Sequence, residues 1–145
     1  MNTNVRQATR VGVYAVMMKG NDMLLIRQKQ GPYGGKFDFP GGGIEFGESP
    51  EQALRRELAE EVAMEFDSFR LIDNLTTIVD VSGTSSATPY SLYQIGMIYR
   101  VEGYRFSNSQ KHGELEHFWV DLNQLSELEC SKLLWAYKAK HSLKP

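Results

Sequence analysis

The 145-residue chain predicts a fold of the α+β or α/β class, a mixed β-sheet carrying one internal and one terminal helix. Three observations carry this. Several stretches rich in β-branched and aromatic residues, bounded by Gly, Pro, Asn or Ser, read as strands. One stretch beginning at Ser49 has the signals of a capped helix. The last stretch, 131–141, is amphipathic, with Leu133, Leu134, Trp135 and Tyr137 expected to pack on the sheet.

Length and composition set the frame. A chain of this size reads as one domain, 1–145, able to bury about 70% of its unfolded surface without disulfides. The net charge of −2 gives no basic field of the kind that draws nucleic acid or a membrane surface. Cys130 is the only cysteine, which excludes an intramolecular disulfide and fits a reducing, cytoplasmic setting. It is expected to pack as a small apolar residue. No stretch approaches the ~18 apolar residues of a membrane span, and residues 1–10 lack an apolar signal region.

Residues 11–18 read as a buried strand, 19–22 as a turn and 23–26 as the returning strand of a hairpin. Arg27 closes that strand, either as a surface charge or as a contact to a substrate phosphate, for which its planar fork of donors is suited. A Gly-rich loop follows over 29–36. Tyr33, Phe37 and Phe39 sit in or beside it, as core rings or as stacking partners for a nucleobase. Pro40 then leads into Gly41-Gly42-Gly43, where the backbone can approach a ligand closely.

The internal helix is the best-marked element. Ser49 is a favoured N-cap, Pro50 suits the first helical position, and Gln52 completes a capping box. From Glu51 to Ala63 there is no Gly, no Pro and a single β-branched residue, Val62, so the helix is expected to run to about Met64. Leu54, Leu58 and Val62 form its apolar stripe. Glu57, Glu60 and Glu61 fall within roughly 100° of one another beside that stripe. Like charges at these spacings cost about 0.2–0.5 kcal/mol per pair. A divalent cation would offset that cost, since carboxylate oxygens suit Mg²⁺ or Mn²⁺. A solvated acidic face with Arg56 paired to Glu60 is the other reading, and spacing alone leaves both open.

Beyond the helix, 69–72 and 75–81 read as strands, 82–89 as a polar loop, 91–101 as a strand and 103–113 as a second polar loop. That second loop leads into Glu114, Glu116 and His117, with His112 near its end, and residues 122–129 form a turn or short helix.

Gly42, Glu48 after five residues, Arg56-Glu57 after seven, Leu58, Glu60-Glu61, and Met64 after two more together resemble the Nudix box of the Nudix hydrolases (MutT-like). The match spans 23 positions, about a sixth of the chain. Phe39-Pro40-Gly41-Gly42 ahead of it, and residues 118–122 late in the chain, are also similar to the family. One position departs: the family usually has Gly where this chain has Ala63, which leaves the end of the helix open. The resemblance implies an α/β/α sandwich with a mixed sheet and the box helix following a Gly-rich loop. It implies Mg²⁺ or Mn²⁺ held by Glu57, Glu60, Glu61 and the carbonyl of Gly41, with Gly42 and Glu48 in support and Arg56 orienting the glutamates. It implies hydrolysis of a nucleoside diphosphate linked to another group, by in-line attack of an activated water on phosphorus. Glu57, Glu61 and Glu116 stand as alternatives for the general base, with Glu114 the runner-up to Glu116 in the loop.

The resemblance implies a small nucleotide as the substrate class. No proline of the ADP-ribose type follows the box, since Asp80 stands near that position, and no dinucleoside polyphosphate or NADH mark is present. That leaves a nucleoside triphosphate or a small nucleotide conjugate ahead. A nucleotide-sensing or protein-binding module on the same fold is the alternative, opposed by the presence of every box carboxylate. The strands and terminal helix are compatible with a homodimer without requiring one.

Overall fold

The computed structural model describes residues 6–29, 34–81, 89–107 and 113–141. Tyr33, His112 and residues 82–88 of the first polar loop lie outside them. Strand β1 (Arg6–Val16) is the centre of the architecture. It pairs in parallel with β8 (Tyr90–Glu102) and antiparallel with β5 (Gly41–Gly43), and β8 pairs antiparallel with β7 (Ser68–Val81), giving the order β5-β1-β8-β7. A second sheet centres on β3 (Asp22–Arg27), which pairs with β10 (His117–Asp121), β2 (Met18–Lys19) and β4 (Phe37–Asp38). Strands β6 (Met64–Glu65) and β9 (Arg105–Phe106) form a small ribbon.

Period-two alternation along β1 gives each face its own helix. Val13, Ala15 and Met17 face α1 (Pro50–Val62), whose Ala53, Leu54, Leu58 and Val62 are buried against them. Tyr14 and Val16 face α2 (Lys132–His141), whose Leu133, Leu134 and Tyr137 close the other layer. The sheets thus lie between two helices, and both layers are apolar where they meet. Cys130 is 3% exposed within the α2 layer, with burial pushing its thiol up to about 11.

Four local expectations are corrected. The 11–18 and 23–26 stretches do not form one hairpin: β1 stays in the first sheet, and the chain turns out at Met17, so only β2 pairs with the start of β3. Strand β1 begins at Arg6 rather than at residue 11, because pairing with β8 uses backbone groups and tolerates side chains exposed to water. Stretches 69–72 and 75–81 are one strand, β7, with a bulge between Leu71 and Asp73. The glycine triplet is itself a strand. At Gly41, with φ 139°, a Cβ would fall 2.1 Å from the carbonyl oxygen of Val13, so only glycine fits this approach.

Helix α1 is capped as its sequence demands. The Ser49 hydroxyl accepts from the Gln52 N–H, and the Gln52 side chain accepts from the Ser49 N–H. It ends at Val62, and Ala63 takes the left-handed conformation at φ 56°, ψ 40°. The turn is therefore made where the family places glycine, by a residue with a Cβ. The last carbonyls of the helix find partners in the loop that follows β9: Glu114 N–H donates to Glu60 and Leu115 N–H to Glu61, at 2.8 and 2.9 Å.

Candidate active site

Packing Leu54, Leu58 and Val62 inward turns Glu57 and Glu61 toward the β5 edge. The Gly41 N–H donates to Glu61 Oε1 at 2.8 Å. The carboxyl of Glu57 lies so close to Gly42 that a Cβ there would meet it at 2.8–2.9 Å. Two of the three glycines are thus required by what touches them: the Val13 backbone at Gly41, and a carboxylate at Gly42.

Arg56 ties the loop to the helix. Its Nε donates to Glu48 Oε2 at 2.7 Å and its Nη2 to Glu48 Oε1 at 2.9 Å, a bidentate pair. Nη2 also donates to the Gly43 carbonyl at 3.1 Å. Nη1 donates to Glu57 Oε1 at 2.8 Å and reaches Glu60 Oε1 at 3.4 Å. The Glu48 carboxyl is held down to about 2, chiefly by the Arg56 hydrogen bonds, and those to Glu48 push the guanidinium up in turn.

The glutamates on the helix experience the opposite effect. Burial pushes Glu61 up to about 8; the Gly41 hydrogen bond opposes this, while the charges of Glu57, Asp38 and Glu114 add to it. Glu57 is raised as well, first by burial, against the pull of Arg56. Glu60 is the most open to water, its side chain 45% exposed against 14% for Glu57. The carboxyls are thus gathered in a partly dry place with too few donors to hold them as anions, which a bound cation would do.

Those oxygens fit a hard divalent cation by donor type, since among the described residues no thiol or imidazole is drawn into the cluster. Among the described residues no three acidic or imidazole side chains converge on one point. Arg56 draws Glu57 and Glu60 aside, and the Gly41 N–H holds Glu61. The set therefore suits a cation whose remaining positions are filled by water and substrate phosphate oxygens, the usual condition of Mg²⁺.

Other sequence expectations divide. Phe39 is fully buried, its ring against Tyr14 and Tyr137, and Phe37 is 8% exposed beneath Arg27. Neither offers a face to a base, so both rings belong to the core. The Arg27 guanidinium stands 4.5 Å over the Phe37 ring and 5.4 Å from Phe118, and its charge acts on Glu129. Besides Arg56, an arginine whose charge reaches Glu57 is Arg10. In the late loop Glu114, placed by its backbone bond to Glu60, is a carboxylate whose charge acts on Glu61.

Sequence reasoning passed over Arg10, Tyr14 and Asp38. Asp38 is buried, accepts from Phe39 N–H and Ser131 Oγ at 2.8 Å and from Gln28 Nε2 at 3.2 Å, and is pushed up to about 6 by burial. Ser131 Oγ in turn accepts from Leu134 N–H, so one carboxylate joins the start of α2 to the strand before the glycines. A strand begun at Arg6 would have put Arg10, Gly12 and Tyr14 on one face by alternation, which was the available signal.

Comparison with known proteins agrees with this geometry. The NUDIX domain family matches residues 7–141, and the chain belongs to that family. It is 33% identical over 119 residues to an ADP-ribose pyrophosphatase of Methanocaldococcus jannaschii, covering 81% of this chain and 65% of that protein. It is 37% identical over 67 residues to an 8-oxo-dGTP diphosphatase of Escherichia coli, covering 46% of this chain and 52% of that one. The chain thus matches just under two thirds of the first relative and about half of the second. In fold it resembles a MutT NUDIX hydrolase of Burkholderia pseudomallei, with a TM-score of 0.64 at 22% identity over 93% of this chain and 99% of that one. Among the described residues no helix is long and apolar enough to cross a membrane.

Proposed function

We propose that the chain hydrolyses a pyrophosphate bond in a small nucleotide, a nucleoside triphosphate or a nucleoside diphosphate joined to another group. The observation that carries this is the pairing of Glu57 and Glu61 with the glycine strand, with their charge left unbalanced. Glu57, Glu60, Glu61 and the Gly41 carbonyl would hold Mg²⁺ or Mn²⁺. Such a cation, when bound, neutralises phosphate oxygens and acidifies a water.

The chain's own residues do the rest. Arg56 fixes Glu48, Glu57 and the Gly43 carbonyl in one frame, so the carboxylates keep their positions as substrate enters. Glu61 has Oε1 anchored by the Gly41 N–H, and Oε2 has no hydrogen bond among the described residues. We assign Oε2 as the proton acceptor when water attacks phosphorus and the anhydride P–O bond breaks. Glu57 is less suited, because the group that holds its Oε1 is the cationic Arg56 guanidinium, which lowers the proton affinity of the carboxylate.

The nucleoside triphosphate reading is supported by the likeness to 8-oxo-dGTP diphosphatases. A nucleotide-sugar reading is supported by the longer alignment with the archaeal ADP-ribose pyrophosphatase. The test is release of phosphate or pyrophosphate from a panel of both kinds, with Mg²⁺, with Mn²⁺ and with chelator. Strong metal-dependent turnover of one compound is the expected result. No turnover by folded protein across the panel would replace this reading with a nucleotide-sensing module.

A further inference from the structure

Every donor of Arg56 that faces the site is already used, on Glu48, Glu57, Glu60 and the Gly43 carbonyl. It cannot turn to a substrate without releasing the frame it holds. A second guanidinium lies against Gly43, whose carbonyl Arg56 takes. Arg10 folds over the β5 strand, so that a Cβ on Gly43 would fall 2.7 Å from its Nε and 2.9 Å from its Nη2. Gly43 is paired with Gly12, and a Cβ on Gly12 would meet the Tyr14 ring at 2.7 Å. Two facing glycines thus leave room on one face of the sheet edge, which the arginine and the tyrosine occupy side by side.

Arg10 forms no hydrogen bond or ion pair with a described residue. Its charge nonetheless reaches Glu57 and Tyr14. An exposed guanidinium whose donors meet no described residue, held over the glycine strand that Glu57 and Glu61 also touch, is placed to meet the oxygens of a phosphate chain.

We propose that Arg10 is a substrate-binding residue that takes phosphoryl oxygens of the nucleotide's pyrophosphate group, the contact expected of Arg27 from sequence. This rests on the hydrolase reading above for its ligand, and its test is separable from it. The probe is inorganic pyrophosphate, titrated calorimetrically into the full chain with Mg²⁺ present, for the wild type, Arg10→Gln and Arg10→Lys. KM and kcat for a nucleoside triphosphate, Mn²⁺ affinity and melting temperature are measured on the same proteins.

Loss of a charge-assisted hydrogen bond should weaken pyrophosphate binding and raise KM about tenfold or more in Arg10→Gln, with a smaller change in kcat. Arg10→Lys should recover part of this, keeping the charge without the planar fork. Pyrophosphate affinity within about twofold of wild type in Arg10→Gln overturns the inference. So does a result in which only Mn²⁺ binding changes, becoming tighter, since that would limit Arg10 to screening Glu57. A loss of affinity that tracks a lower melting temperature also overturns it. Wild-type protein that cleaves no nucleotide but binds pyrophosphate through Arg10 would remove the hydrolase reading and keep this one.

Discussion

The backbone N–H of Gly41 donates to Oε1 of Glu61 across twenty positions of sequence, at 2.8 Å. This bond joins the glycine strand to the helix and leaves the second carboxylate oxygen free. Glu61→Gln keeps the shape, and its amide oxygen can still accept from Gly41, but its charge and its proton-accepting oxygen are lost. Turnover should fall by about 10²–10⁴-fold while the melting temperature holds, because a carboxyl that burial already raises to about 8 is replaced by a neutral group of the same shape. Steady-state kinetics and thermal melts on the same preparation check both halves.

Arg56 is held to Glu48 by two parallel bonds and to Glu57 by a third. Lysine can supply one point charge but not that fork. Arg56→Lys should lower kcat/KM by about 10–100-fold, as is usual when a group that orients metal ligands is altered. Mn²⁺ affinity, followed by the loss of free-ion EPR signal, should fall with it. Unchanged Mn²⁺ binding would show that Arg56 does not set the glutamate positions.

Ala63 sits in the left-handed region at φ 56°. A side chain there costs about 1–2 kcal/mol relative to its ordinary conformations, part of which glycine loses again through its freer unfolded chain. Ala63→Gly should therefore stabilise the protein by about 0.5–1 kcal/mol in urea unfolding. Ala59→Gly, inside the helix and exposed, should cost about 1 kcal/mol and serves as the control.

The buried carboxyl of Asp38 is pushed up to about 6. Its folded value lies above the unfolded one of about 3.9, so the folded protein binds the proton more tightly. The resulting stability is present in full below about pH 4 and is lost as the pH rises through 6, a change of up to about 3 kcal/mol. Asp38→Asn has no such proton. Measured by urea unfolding, the stability of wild type relative to the variant should decline between pH 4 and 7. A difference that stays flat over that range would show that Asp38 is not the titrating group.

Much of the fold was legible because the signals are local. Ser49, Pro50 and Gln52 mark the start of α1 within four residues, and the capping box forms as written. The apolar stripe Leu54, Leu58, Val62 faces the core as its period requires. The hairpin expected from residues 11–26 formed only at its tip, where Met18 and Lys19 pair with Met23 and Asp22, because a turn signal says that the chain reverses, not which sheet each arm joins. The start of β1 was missed because strands whose side chains are exposed on both faces carry no hydrophobic alternation.

The sequence by itself determined the helix, its caps and the spacing that puts Glu57, Glu60 and Glu61 on one face, since each follows from bonds or angles within a turn or two of chain. Only the tertiary structure decided which other groups meet them. Arg10 brings its charge to Glu57, Glu114 brings its charge to Glu61, and Gly41 bonds Glu61 through its N–H, across a sheet edge or a loop. Those meetings depend on strand pairing and on how the loop satisfies the last carbonyls of α1, and neither is encoded by spacing within one segment. Phe37 and Phe39 show the same limit, because an aromatic ring has one composition in a core and in a binding site, and burial alone tells them apart.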